Sequence, residues 1–126
     1  MTLVALLIVA ILLVVGHETA HVLTTWACGG RFEGIVVRHI LAVAVKIRVD
    51  GLSVRQVMAT LIAAPMTEMA IIAIASWCDP AGMGWWLVLG AVQIGVNWVP
   101  WWGFPNDGQR VFALLQQGRA ALAIDN

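Results

Sequence analysis

The stretch that most constrains this chain is Leu3–Leu23, an apolar run with three ionisable residues set inside it. Leu3 to Val15 is wholly apolar, Gly16-His17-Glu18-Thr19-Ala20-His21 follows, and Val22-Leu23 resume the apolar character. In a lipid phase such a run satisfies its backbone polar groups as a helix. On that helix His17 and His21 lie one turn apart on one face, since residues i and i+4 are neighbours. His-Glu-x-x-His is short enough to arise by chance in a soluble helix. Chance is a poorer account in a membrane-type segment, where each ionisable group costs on the order of several kcal/mol. Two imidazoles at this spacing can hold one zinc ion, and Glu18 is placed to act on a water beside it.

Composition agrees with a lipid environment. Of the 126 residues, 61% are hydrophobic and only 11% are charged, well under the roughly 25% usual in soluble domains. The length suits a single domain, residues 1–126. Formal net charge is zero, which gives no basis for a nucleic-acid partner. Cys28 and Cys78 are too few and too separated for a zinc-ribbon pattern, and read as ordinary thiols. No basic residue precedes the first apolar run and no small-x-small cleavage site follows it. The expectation is a retained helix, not a signal peptide.

Three spans are expected, at about 2–26, 54–77 and 85–99. Between the first two, residues 31–51 change character. Val43, Val45, Ile47 and Val49 alternate with Ala44, Lys46, Arg48 and Asp50, the period of a half-buried strand. With 34–37 as its partner, this region reads as a β-hairpin at the membrane surface. Asp79-Pro80 turns the chain into the third span, which carries the small pair Ala91-x-x-x-Gly95 for close helix approach. That span runs to Asn97 and is broken by Pro100 and Pro105. From about 107 to 122, Val111, Leu114, Leu115 and Leu122 share one helical face, as in an amphipathic helix lying on a membrane. The expected fold is therefore an all-α polytopic membrane protein: three transmembrane helices, a small surface hairpin and a C-terminal amphipathic helix. All seven Lys and Arg lie in 31–55 or 110–119. The positive-inside rule then puts the N-terminus outside, and the hairpin and C-terminus in the cytoplasm. Trp77, Trp85 and Trp86 would mark the outer interface, and Trp26, Trp101 and Trp102 the inner one.

A catalytic zinc ion usually takes a third protein ligand. Glu33, Glu68, Asp79, Asp107 and His39 are the candidates. His17 and the break at Pro100 both fall roughly 22 Å from the outer end of their helices, at about 1.5 Å per residue. The segment 97–108 thus reaches the level of the histidines and carries Asp107 with it. Asp79 falls on the far side, and Glu33 and His39 fall in the hairpin. Glu68 competes from the middle of the second span, either as a ligand or as a buried carboxyl paired with Gln93 or Asn97. Asn97 itself suits either a helix cap or a donor to a substrate carbonyl.

A membrane-embedded His-Glu-x-x-His on the first helix, Asn97-x-x-Pro100 and then Asp107-Gly108 resembles the site-2 protease family of intramembrane zinc metalloproteases. The resemblance covers essentially the whole chain. It implies a three-helix core with His17, His21 and Asp107 as zinc ligands, Glu18 as catalytic base and Asn97 orienting substrate. The hairpin is similar in placement to the family's membrane-associated strands, whose edge receives unwound substrate. Three features depart from the family pattern: a longer interval from Pro100 to Asp107, Asn106 in place of Leu, and Ala64-Pro65 where Gly-Pro is usual. The expected function is cleavage of peptide bonds within or near transmembrane segments of other proteins, as in regulated intramembrane proteolysis. The alternative is a catalytically silent membrane zinc-binding protein, serving metal transport or acting as a chaperone or anchor.

Overall fold

A computed structural model of the chain describes residues 3–39, 42–100 and 106–124. Helix α1, Leu3–Ala27, is followed by the strands β1, Arg31–His39, and β2, Ala42–Arg48. Helix α2, Val54–Cys78, leads through a short 3₁₀ turn, Pro80–Gly82, into α3, Met83–Trp98, and α4 follows at Asp107–Ile124. Helices α1 and α2 are long and apolar enough to cross a membrane. Helix α3 has 16 residues, a rise of about 24 Å, which is shorter than a hydrocarbon core of about 30 Å.

Helices α1 and α2 pack antiparallel, each burying one stripe. On α1 this stripe is Leu13, His17, Ala20, His21 and Thr25, and on α2 it is Thr60, Leu61, Ala64, Pro65, Glu68 and Ile72. The spacing by threes and fours is that of one helical face. The remaining faces are apolar and exposed, including Leu7, Ile11, Val15, Met66, Met69 and Ile74. Polar groups point inward and hydrocarbon points outward, an arrangement suited to lipid and unfavourable in water. Gly16 permits the close packing, since a Cβ there would lie 2.7 Å from Ile71 Cδ1.

Leu13, Ile72 and Trp86 form the apolar core at one end of the bundle. At the other end Gln56 ties the start of α2 to α1 by donating to the Cys28 carbonyl at 3.2 Å. Ser53 and Gln56 form a capping box that satisfies the first N–H groups of α2. Cys28 and Cys78 stand near opposite ends of α2 as free thiols.

Two sequence expectations change here. Trp86 was expected at an interface but is 2% exposed. The turn places it on the inward face of α3, where its indole N–H donates to the Asp79 carbonyl at 3.3 Å. Trp77, Trp85 and Trp26 are exposed, while Trp101 and Trp102 lie outside the described residues. The close approach on α3 occurs at Gly90 against Ile72, not at the Ala91/Gly95 pair: a Cβ on Gly95 would meet nothing within 4 Å. Ala91 lies on an exposed face, so that pair is turned away from α2.

The strands pair antiparallel as a two-stranded sheet, with Ile35 opposite Val45 and Phe32 opposite Ile47. Glu33 accepts from Lys46 Nζ at 3.0 Å and from Arg48 Nε at 2.6 Å. The Lys46 hydrogen bond, with the charge of Arg48, holds the Glu33 carboxyl below its usual range. The hairpin therefore has a charged side and, through Phe32, Ile35 and Val45, an apolar one against α1.

Helix α4 is seated against the end of α3 by Asn106 and Gly108. The Asn106 side chain donates to the carbonyls of Val96 at 2.9 Å and Val99 at 2.5 Å, and accepts from the Gln109 N–H at 3.0 Å. It caps α4 while satisfying carbonyls left orphaned where α3 stops. A Cβ on Gly108 would overlap the backbone carbonyl of Trp98. Gly108→Ala should therefore lower stability by ~1–3 kcal/mol through overpacking, although alanine is the better helix former by ~1 kcal/mol. Thermal unfolding of the variant in detergent measures the sign, and a raised midpoint would show that α3 and α4 are less closely apposed.

Candidate metal centre

The buried stripe of α1 and the first residue of α4 meet at His17, His21 and Asp107. His21 Nε2 lies 2.8 Å from Asp107 Oδ2, His17 Nε2 lies 3.1 Å from the same oxygen, and the two Nε2 atoms are 3.1 Å apart. The imidazoles stand edge to face, with centroids 4.7 Å apart, as consecutive turns of one helix dictate. All three residues are buried, at 5%, 5% and 8% exposure.

The hydrogen bonds behind the rings indicate what this triangle is for. His21 Nδ1 lies 2.8 Å from the Thr60 carbonyl oxygen. A carbonyl only accepts, so Nδ1 carries a proton, and a metal could then be met only by the Nε2 lone pair facing the triangle. His17 Nδ1 lies 2.8 Å from Glu68 Oε1, so the same assignment aims its Nε2 inward as well. With both Nε2 atoms unprotonated, three potential metal donors converge within hydrogen-bond distance. Without a metal, a proton on either Nε2 would make the same contacts hydrogen bonds to Asp107. Atoms about 2.0–2.2 Å from a tetrahedral metal sit about 3.3–3.6 Å apart, a few tenths of an ångström wider than the 2.8–3.1 Å separations here. The buried His17–His21–Asp107 group can therefore hold a metal ion.

Of the five candidates for a third ligand, Asp107 is the one in the triangle. Glu68 is behind it, paired with Asn97 Nδ2 at 3.1 Å and with His17. That is the buried-carboxyl arrangement, with Asn97 as the partner. Asp79 accepts from the Gly82 N–H and caps the turn after α2. Glu33 is engaged with Lys46 and Arg48, and the side chain of His39 lies outside the described residues. Asn97, expected to cap the helix or address substrate, turns its amide toward Glu68 and stands 3.4 Å from His17 Nδ1.

Glu18 takes a separate direction. One residue beyond His17 is a rotation of about 100°, which carries it off the buried stripe toward the hairpin. Its Oε2 accepts the backbone N–H of Val45 on β2 at 2.8 Å. It lines a cavity of about 310 Å³ with Val14, Thr19, Phe32 and Ile35 among its walls. Glu18 is thus the one carboxylate in a largely apolar groove between α1 and the hairpin.

Thr60 and the capping role of Asn106 were not read from the sequence. Thr60 acts through its backbone carbonyl, which no residue type announces. Asn106 stood out only as a departure from a family pattern, although asparagine before a helical run is itself a capping signal. The path of 101–105 lies outside the described residues.

His17→Ala, His21→Ala and Asp107→Ala each remove one donor and should each abolish stoichiometric metal binding. Glu18→Gln should retain it. Metal content after gel filtration of the detergent-solubilised protein checks this pattern, and full metal content in Asp107→Ala would exclude that carboxylate as a ligand. The chain matches no protein-family model, no curated protein and no solved structure.

Proposed function

We propose that this chain is an intramembrane zinc endopeptidase that cleaves transmembrane segments of other proteins. The observation that carries the reading is the juxtaposition of the two-histidine, one-aspartate triangle with a non-ligand glutamate next to His17. Two imidazoles and one carboxylate make a donor set suited to zinc, leaving a fourth position for water or substrate. Zinc bound there would polarise a peptide carbonyl and make a neighbouring water more acidic. Glu18 takes the proton of the attacking water and passes it to the leaving amine nitrogen. Its carboxylate is available for this once the Val45 N–H is given up.

The groove supports a substrate of lipid origin. Its walls are apolar apart from Glu18 and Thr19, and it lies between α1 and a two-stranded sheet. A transmembrane helix must unwind before a peptide bond is accessible, and an extended strand regains lost backbone hydrogen bonds on a sheet edge. In the orientation that follows from the basic residues, the N-terminus is outside, and the hairpin and C-terminus are cytoplasmic. The exposed apolar faces of α1 and α2 support a multi-pass protein with α3 as the third, shorter span.

The decisive experiment compares native protein and Glu18→Gln in liposomes containing a transmembrane peptide. Native protein should cleave it, and the variant should keep its zinc while losing about 10²–10⁴-fold in rate, the usual contribution of a general base. Native protein that holds zinc without cleaving would instead favour a silent zinc-binding role. Orientation has its own test: a reporter after Asn126 should be cytoplasmic and one at Ala81 external. Both reporters on one side would remove the third span.

A further inference from the structure

Glu68 is wholly buried in the middle of α2, at 0% exposure, yet it is not one of the converging donors. A single oxygen, Oε1, receives His17 Nδ1 from α1 at 2.8 Å and Asn97 Nδ2 from α3 at 3.1 Å. Its other oxygen has no hydrogen-bond partner among the described residues. Burying a carboxylate in this way is costly unless its role depends on the charge or the geometry.

We propose that Glu68 is a positioning residue that acts through His17, with Asn97 as its support. This role rests on the metal-centre reading above. A neutral imidazole donates from only one nitrogen, so an acceptor fixed at Nδ1 keeps the Nε2 lone pair turned toward the triangle. The two rings are held unequally. His21 is backed by the neutral carbonyl of Thr60, whereas His17 is backed by a carboxylate. A carboxylate behind a ligating histidine orients the ring and makes it a stronger ligand, and losing such a partner weakens metal affinity about 10–100-fold. Asn97 holds the shared oxygen from the opposite helix, so α3 reaches the metal position through Glu68 and His17.

The test uses Co²⁺ as the probe on the full chain in detergent. The dissociation constant is measured by chelator competition, together with the visible absorption of bound Co²⁺ and the metal-free unfolding midpoint. Glu68→Gln should weaken Co²⁺ binding about 10–100-fold and alter the absorption band, with little change in the metal-free midpoint. Asn97→Ala should weaken binding less. The double variant should be no weaker than Glu68→Gln alone, because both residues act through one ring. Should Glu68→Gln not fold, Asn97→Ala carries the test, since it leaves the carboxylate in place. A Co²⁺ affinity within about twofold of native and an unchanged band in the variant that folds would reduce Glu68 to a structural tie. If the native chain binds no Co²⁺, or His21→Ala binds it as tightly as native, the metal centre itself is absent and this role falls with it.

Discussion

The structure depends on the convergence of three buried polar atoms, His17 Nε2, His21 Nε2 and Asp107 Oδ2. In an apolar bundle such groups are costly to bury unless a shared proton or a bound cation joins them. Nearly every irregular feature of the fold serves to bring that convergence about. Gly16 lets α1 approach α2, so that His17 meets Glu68 and His21 meets the Thr60 carbonyl. The end of α3 at Trp98, the Asn106 cap and the absence of a Cβ at Gly108 bring the first residue of α4 to the same point.

A carboxylate at the start of α4 also gains from its position, because the N-terminal end of a helix carries partial positive charge. Arg110, one turn along at 3.7 Å from Asp107 Oδ1, adds to that field from an exposed position. The cluster is therefore held from four helices at once: ligand atoms from α1 and α4, and supporting atoms from α2 and α3. Apolar packing at the opposite end, around Leu13, Ile72 and Trp86, sets the relation of the helices without contributing to the chemistry.

Glu18, the residue after His17, ties α1 to the hairpin. Its carboxylate accepts an N–H from β2, so the position of the sheet and the placement of Glu18 are coupled by one hydrogen bond. A strand that binds along the hairpin has to compete with or rearrange that contact. In the proposed protease, substrate entry and exposure of the base would be linked through that hydrogen bond.

Much of this was legible in the chain itself. The apolar runs announced α1 and α2 because backbone groups in lipid have few alternatives to a helix. The i, i+4 spacing placed His17 and His21 on one face by helical geometry alone, and period-two alternation located the hairpin within 31–51. Asp107 was reachable by an argument from depth, since a broken helix fixes roughly how far a residue has travelled. Packing direction was not legible. Trp86 and Trp85 are adjacent and chemically identical, yet one is buried and the other exposed, because the turn at Asp79–Gly82 sets the rotation of α3. The contact of Glu68 with His17, the use of the Thr60 carbonyl and the bond from Val45 to Glu18 depend on contacts 51, 39 and 27 residues apart in the chain. Local periodicity determines which face a side chain occupies. Only the packing of one helix on another decides what that face meets.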